Sequence, residues 1–128
     1  MVVARWIFWL AGIYGLLVIA PLYFLEGQVG SDHPAGLTHP EFFYGFVGVT
    51  LAWQVVFLMI GSDPIRYRPL MIVAALLEKF PYTIAVLILW GQSRLAPAAL
   101  VFAGIDAILG ILFLVSFSLT PASDEQLP

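Results

Sequence analysis

Four long apolar segments divide the chain, and short polar segments separate them. They run from about residue 5 to 25, 42 to 60, 70 to 90 and 97 to 119. Each is close to the roughly 20 residues that an α-helix needs to cross about 30 Å of hydrocarbon. Pro and Gly punctuate the segments between them, as connecting turns require. The pattern predicts an all-α fold: an integral membrane four-helix bundle formed by a single domain, residues 1–128, with a flexible tail at 120–128.

The composition supports this class. Hydrophobic residues make up 62% of the chain and charged residues only 10%, whereas soluble domains are about half apolar and a quarter charged. A soluble fold of this size could not hide so much apolar surface from water. The absence of cysteine excludes disulfides and thiolate metal sites. Five basic against eight acidic residues provide no basic surface for nucleic acid. We therefore expect membrane lipid as a partner, no nucleic acid and no cofactor.

Basic residues in the short loops predict the orientation. Arg5, Arg66 and Arg68 fall on one side of the membrane and Arg94 on the other. Because cytoplasmic loops carry the excess of Lys and Arg, this distribution places both termini in the cytoplasm of a cell membrane, with a bacterial inner membrane as the expected location. The segment after Leu25 has no clear small-x-small cleavage site, which favours a retained first helix over a cleaved signal peptide.

Polar residues interrupt three of the apolar segments. Glu78 and Lys79 lie in the third, Asp106 in the fourth and Gln54 in the second. A charged residue at the centre of a membrane helix costs about 2.5–3.5 kcal/mol on insertion scales, and such residues are typical of functional sites. The apolar runs on either side of Glu78 and Lys79 are too short to cross alone. These two residues therefore lie inside the bilayer, or the third segment is re-entrant.

These polar residues are predicted to share one depth. At about 1.5 Å per residue, Tyr14, Gln54, Glu78, Lys79 and Asp106 all fall roughly 13–18 Å from the outer ends of their helices. Small residues repeat on the face of the fourth segment that carries Asp106. Because small residues allow membrane helices to approach closely, we expect Asp106 to face another helix. The natural partner of Asp106 is Lys79. The candidate ligand-binding residues are Tyr14, Gln54, Glu78, Lys79, Tyr82 and Asp106, and the candidate acid–base residues are Glu78 and Asp106.

The local sequence around this layer leaves several roles open. Pro81 removes a helical hydrogen bond to the carbonyl of Leu77, which predicts a kink beside the charged pair. Two carboxyls face one lysine, so one carboxyl has no basic partner at this depth. Such buried charges can simply fix helix register and orientation. They can also line a small-molecule or proton-linked site, or contact a second membrane subunit.

The outer loop offers a weaker cluster of polar residues. Its members are Asp32, His33, His39 and Glu41, and their spacing matches no recognised metal-ligand motif. Both histidines precede a proline, which favours an extended loop. We predict no metal site here, and no haem within the apolar segments, because neither histidine lies in them.

The run from Glu41 to Trp90, EFFYGFVGVTLAWQVVFLMIGSDPIRYRPLMIVAALLEKFPYTIAVLILW, with the later DAILGILFLVSF, resembles small bacterial four-helix membrane proteins known as hypothetical proteins. That resemblance implies no activity. In topology alone the chain is similar to the EXPERA group of sterol isomerases and sterol-binding proteins, which implies four helices with acidic residues facing an intramembrane pocket. Glu78 and Asp106 are the candidates for that acidic pair. Lys79 and the short loop between the third and fourth segments depart from the pattern.

Three functional hypotheses follow. The favoured one is a small membrane protein that binds a lipid or another apolar ligand, or serves as an accessory subunit, alone or as a homo-oligomer. The second is an EXPERA-like intramembrane isomerase in which Glu78 and Asp106 act as acid and base and Lys79 tunes them. The third is a proton-coupled carrier that acts as an oligomer.

Overall fold

The fold was described in a computed structural model, which covers residues 2–31 and 39–122. All of its regular elements within these residues are helical. In chain order they are α1 (Val2–Ile19), a 3₁₀ turn (Ala20–Phe24), α2 (Glu26–Ser31), α3 (Pro40–Ser62), α4 (Arg68–Val73), a π-helical turn (Ala74–Lys79), α5 (Phe80–Gly91) and α6 (Ala98–Leu119). The run of α4, the π turn and α5 is continuous and is long and apolar enough to span a membrane; we call it the third spanning helix for this reason alone.

Four helices are long and apolar enough to span a membrane: Val2–Phe24, Pro40–Ser62, Arg68–Gly91 and Ala98–Leu119. The prediction of four such helices is confirmed, and every predicted end lies within three residues of the observed one. Proline at the start of α3 favours this boundary, because Pro fits the first helical turn. The short helix α2 was not predicted; it occupies the start of the segment read from the sequence as loop.

The four long helices form two hairpins. In the first, α1 packs along α3, which is the most extensive contact in the molecule. In the second, α6 packs along all three parts of the third spanning helix. The two hairpins meet mainly where α1 contacts α6, whereas α3 and α5 make almost no contact with each other. This arrangement leaves a gap between the hairpins.

Small residues allow α1 and α3 to approach closely. A Cβ atom on Gly12 would lie 2.9 Å from the backbone oxygen of Gln54, and one on Gly15 would overlap the Gln54 side chain. At the other end of the hairpin, Gly61 of α3 gives room to the indole of Trp9. Close approach through small residues is how helices gain packing energy when lipid replaces water around them.

The main hydrophobic cluster of the described residues lies in one half of the bundle. We call this the inner half; it contains the first turns of α1 and α4 and the last turns of α3 and α6. The rings of Phe8 and Phe113 stack at 4.2 Å between centroids, and Phe57 meets Phe113 edge-on at 4.9 Å. The buried core comprises Ala4, Phe8, Ala11, Phe57, Ile60, Met71, Ala74, Ala75 and Phe113. All of them lie on the inner side of the predicted polar layer. Among the described residues, the buried apolar side chains of the outer half, Val47, Val86 and Ala103, lie outside this cluster.

Arginines tie the inner ends of the helices together. The Nε of Arg5 donates to the backbone oxygen of Gly61 at 3.1 Å, near the end of α3. The Nε of Arg68 donates to the backbone oxygen of Thr120 at 2.6 Å, just beyond α6. Cations at helix C-termini satisfy carbonyls that have no partner within the helix. Thr120, where the tail was predicted to begin, is itself buried, and residues 123–128 lie outside the described part of the chain.

Candidate functional site

Lys79 lies at the centre of the polar layer and is only 5% exposed. Its Nζ is 3.3 Å from Oδ1 of Asp106 and 3.4 Å from Oε2 of Glu78. The ammonium also lies 5.2 Å from the centroid of the Phe57 ring, close enough for a cation–π interaction. The predicted pairing of Lys79 with Asp106 is present. Two carboxylates and an aromatic face thus replace the water that the buried ammonium has lost.

A π-helical turn places these charges. The backbone N–H of Phe80 donates to the carbonyl of Ala75, five residues earlier, where an α-helix would pair residues four apart. The kink expected at Pro81 stays a prediction. The structure shows that the widened turn ends two residues before the proline, which lacks an N–H to continue the regular pattern. Glu78 and Lys79 do not share Asp106 as a partner; instead Lys79 lies between the two carboxylates.

The small-residue face of α6 packs against the third spanning helix, as predicted. The hydroxyl of Thr83 lies 3.2 Å from the backbone oxygen of Ala103 and 3.4 Å from that of Lys79. About two helical turns further inward along α6, a Cβ on Gly110 would lie 2.8 Å from the Phe80 ring. The close approach of these two helices holds Asp106 within reach of Lys79.

Gln54 contributes to the layer from the other hairpin. It is buried, and its Nε2 donates to the backbone oxygen of Thr50 at 2.8 Å. Its side chain lies directly over Gly15 of α1. The amide is therefore held against α1 and α3 and makes no hydrogen bond to Lys79 among the described residues.

A cleft of about 450 Å³ lies between the two hairpins and brings the predicted residues together. Its polar floor consists of Tyr14, Gln54, Glu78, Lys79, Tyr82 and Asp106, which are all six candidate ligand-binding residues. Its walls are formed by Gly15, Val18, Ile19, Leu22, Phe46, Val49, Thr50, Trp53, Leu77 and Phe102. The depth estimate from the sequence thus identified residues that do share one cavity. Whether they bind a ligand stays a prediction.

The cleft lies in the outer half of the bundle, opposite the aromatic core. Its walls are also partly open at the sides. Val49 of α3 is 63% exposed and Leu77 of the third spanning helix is 71% exposed, although both line the cleft. The gap between α3 and the third spanning helix is therefore an opening through the side of the bundle.

Glu78 carries unused hydrogen-bonding capacity at this floor. Its Oε2 is buried and accepts no hydrogen bond from the described residues, even though Lys79 Nζ lies 3.4 Å away. The ammonium is better aligned with Asp106, to which it donates. Buried polar atoms are almost always hydrogen-bonded. An acceptor without a donor on the floor of a cleft is the kind of group that a ligand can satisfy.

Sequence reasoning missed several residues of the site. Thr50 and Trp53 line the cleft beside Gln54, and Gly15 provides the surface on which Gln54 lies. The spacing of Gly12 and Gly15 on one face of the first helix was a usable signal for close packing there. In the outer loop, His39 Nδ1 lies 3.2 Å from Glu41 Oε1 at the surface, while Asp32 and His33 lie outside the described residues.

The chain matches none of the known protein families, curated proteins or solved structures with which it was compared. The resemblance to small bacterial four-helix membrane proteins, and in topology to the EXPERA group, therefore stays a prediction. The case for function rests on the geometry of the cleft.

Proposed function

We propose that this chain is a multi-pass membrane protein whose cleft binds a lipid or another apolar ligand with one polar end. One observation carries the proposal: six polar side chains, contributed by all four long helices, meet on the floor of a cleft whose walls are mainly apolar. Binding sites for small molecules have this character, with apolar walls and a few convergent polar groups.

The exposed surface supports placement in a membrane. Large apolar side chains face outward along the helices, including Leu17 at 72%, Phe24 at 88% and Val101 at 62% exposure. Contiguous apolar surface on this scale is unfavourable in water and favourable in hydrocarbon. The four helices have the length that a bilayer requires.

The arginines support an orientation with both termini in the cytoplasm of a bacterial inner membrane. Arg5, Arg66 and Arg68 all belong to the inner end of the bundle, and Arg94 belongs to the outer end. The positive-inside rule then assigns the inner end to the cytoplasm. C-terminal fusions test this in bacterial cells: green fluorescent protein should fluoresce and alkaline phosphatase should be inactive. Active phosphatase with dark fluorescent protein would contradict the orientation.

Packing supports occupation of the cleft by an apolar molecule. The inner half is filled by side chains, whereas the outer half is split between the hairpins. Apolar cavities are poor sites for water and readily take up apolar molecules. A volume of about 450 Å³ lies within the range of pockets that enclose one small ligand.

Native mass spectrometry after gentle solubilisation tests the proposal. The wild-type protein should carry a small apolar molecule into the gas phase. Val49→Trp places an indole in the opening of the cleft, so the bound molecule should be lost. Val55→Trp is the matched control, because Val55 lies on the same helix, is also exposed, and does not line the cleft.

A wild-type protein that never carries a small molecule, or equal retention by both tryptophan variants, would contradict a ligand site in the cleft. The same spectra report whether the chain is a monomer, a homo-oligomer or part of a complex with a second polypeptide. A stable second polypeptide with an empty cleft would favour an accessory subunit instead.

The position of Glu78 favours an intramembrane isomerase as a second candidate. Its Oε2 lies at the cleft, has no hydrogen-bond donor among the described residues, and is near Asp106 through their shared contact with Lys79. Two carboxyl groups on one floor can donate and remove a proton at an apolar substrate. The molecule retained by the protein should then change its chromatographic retention without changing mass. Glu78→Gln, which keeps an acceptor oxygen at this position, should still bind the molecule and should abolish this conversion; continued conversion by the variant would contradict the role of Glu78.

A further inference from the structure

Along the depth of the bundle, the polar and apolar surfaces of the cleft follow the reverse order of the polar and apolar parts of a membrane phospholipid. Its charged floor lies at the middle of the bundle, and apolar residues such as Leu22, Phe46 and Phe102 line it toward the outer end. A phospholipid has its polar headgroup at the membrane surface and its methyl ends at the middle. The two patterns do not match.

The depth of the floor makes this mismatch costly. Lys79 and Asp106 lie about 12–18 Å along their helices from the outer ends, at about 1.5 Å per residue. That is half of a hydrocarbon core about 30 Å thick. An acyl chain descending from the outer surface would bring a methyl group against Glu78, Lys79 and Asp106. The methyl group would exclude water from these polar side chains and would form no hydrogen bond with them, which is unfavourable.

We propose that the cleft binds an inverted amphiphile, a single apolar molecule whose terminal hydroxyl lies on the floor against Glu78 and whose apolar body extends toward the outer end. This inference rests on the proposed ligand-binding function and specifies the ligand class. The volume of about 450 Å³ suits one such molecule.

The hydrogen-bonding groups on the floor of the cleft favour a hydroxyl as the polar group of the ligand. The ammonium of Lys79 faces both carboxylates, and one N–H of the Gln54 amide donates to the backbone oxygen of Thr50. The buried floor atom that no described donor satisfies is an acceptor, Oε2 of Glu78, so a ligand that donates a hydrogen bond fits the floor best. A cationic donor would lie beside the Lys79 ammonium and be repelled by it. An uncharged hydroxyl donates without that penalty.

The ligand reaches the floor from the bilayer. The opening between α3 and the third spanning helix is bordered by Val49 and Leu77, both mainly exposed and both apolar. A molecule dissolved in the hydrocarbon can pass this border without crossing water. The aromatic core of Phe8, Phe57 and Phe113 closes the inner half, so the hydroxyl stops at the polar floor.

Two photoreactive long-chain alcohols test the orientation, with the protein reconstituted in phosphatidylcholine vesicles. One carries a diazirine next to the hydroxyl and the other carries it at the far end of the chain. The first should label floor residues, chiefly Tyr14, Gln54 and Tyr82. The second should label wall residues of the outer half, namely Leu22, Phe46 and Phe102.

The labelling pattern separates this inference from the proposed function. Labelling within the cleft but in the reverse order would overturn inverted binding and leave a ligand site intact. Labelling of outward-facing residues such as Leu17 and Val101, with none in the cleft, would overturn both.

Affinity tests the role of the hydroxyl. In detergent solution, tetradecanol should displace either photoreactive alcohol at a concentration at least about tenfold lower than its methyl ether, because a hydrogen bond to a charged group contributes about 1.5–3 kcal/mol. Glu78→Leu should remove this difference, and Glu41→Leu, which deletes an exposed carboxylate at the outer end, should preserve it. Equal competition by alcohol and ether on the wild-type protein would overturn the inference whether or not the Glu78 variant folds.

Discussion

Lys79 and Asp106 are 27 residues apart in the chain, and the lysine Nζ donates a 3.3 Å hydrogen bond to the aspartate Oδ1 in the middle of the bundle. The bond joins the third spanning helix to α6 at the floor of the cleft. Because Glu78 lies 3.4 Å from the same ammonium, the two carboxylates are not equivalent. Asp106 accepts the hydrogen bond of Lys79 across the helix interface. Glu78 is the neighbour of Lys79 on the same helix and forms an ion pair with it without a hydrogen bond.

This inequality predicts an order of stability among substitutions. Lys79→Leu leaves two buried carboxylates without a cation, and breaking a buried pair in this way costs about 3–5 kcal/mol. Asp106→Leu leaves Lys79 paired with Glu78, so its cost should be smaller. The double variant should recover much of the loss caused by Lys79→Leu alone. Thermal unfolding in detergent measures all three, and strictly additive effects would contradict the coupling.

Gly15 is predicted to tolerate no side chain. A Cβ there would overlap the buried amide of Gln54, so Gly15→Ala should separate α1 from α3 or displace the amide, with a loss of about 1–3 kcal/mol. Gly104→Ala is the matched control, since a Cβ at this helical position meets nothing within 4 Å. It should be neutral or stabilising by up to about 1 kcal/mol.

The partner of Gly15 provides a rescue. Gln54→Ala removes the atoms that the new methyl group would meet, so the double variant Gly15→Ala/Gln54→Ala should be less impaired than the sum of its parts. Independent effects would show that the two residues do not contact each other in the folded protein. Unfolding midpoints in one detergent suffice for the comparison.

The π turn is predicted to set the rotation of the third spanning helix. Deleting Leu76, which is about half exposed, should restore an α-helical turn and rotate the preceding residues by about 100° relative to Glu78 and Lys79. Met71 and Ala74 would then leave the core, or Lys79 would leave Asp106. Either outcome should cost several kcal/mol on the scale of a lost core side chain. Leu76→Ala, which keeps the chain length, should have a small effect; similar unfolding of both variants would contradict the prediction.

Two arginines in one loop should differ sharply in their contribution to stability. Arg68 donates to the backbone oxygen of Thr120 at 2.6 Å and its guanidinium lies 3.7 Å from the centroid of Phe117. Arg68→Ala should therefore cost about 1.5–3 kcal/mol. Arg66 is exposed and lies 5.5 Å from the Tyr67 ring, so Arg66→Ala should cost less than about 1 kcal/mol. Both variants remove one positive charge from the same loop, and equal unfolding temperatures would contradict the distinction.

The sequence predicted the elements whose physical causes are local. Hydrophobic length determined the four helices, and their predicted ends were accurate to within three residues. Helical rise placed Gln54, Glu78, Lys79 and Asp106 at one depth, and the small-residue face of α6 predicted that Asp106 would face Lys79. These inferences needed only a regular helix and the costs of burying charge.

Several other features that depend on packing between helices were not predicted. The π turn lies just before Pro81, where the helix carries Glu78 and Lys79 and contacts α6. No pattern in the local sequence predicts the additional residue that this turn contains. The restriction of the core to the inner half depends on which aromatic rings meet, here Phe8, Phe57 and Phe113. Tyr14, which was placed by depth, and Tyr82 both line the cleft, but the cleft itself follows from the divergence of two hairpins.

The one-sided core gives the molecule unequal stiffness across its thickness. The inner half resists deformation because it is densely packed, whereas the outer halves of the hairpins are held mainly within each pair. In a bilayer, the lateral pressure of the surrounding chains would press on these outer halves and set the width between them. The capacity of the cleft should therefore respond to the composition of one leaflet and be largely insensitive to that of the other.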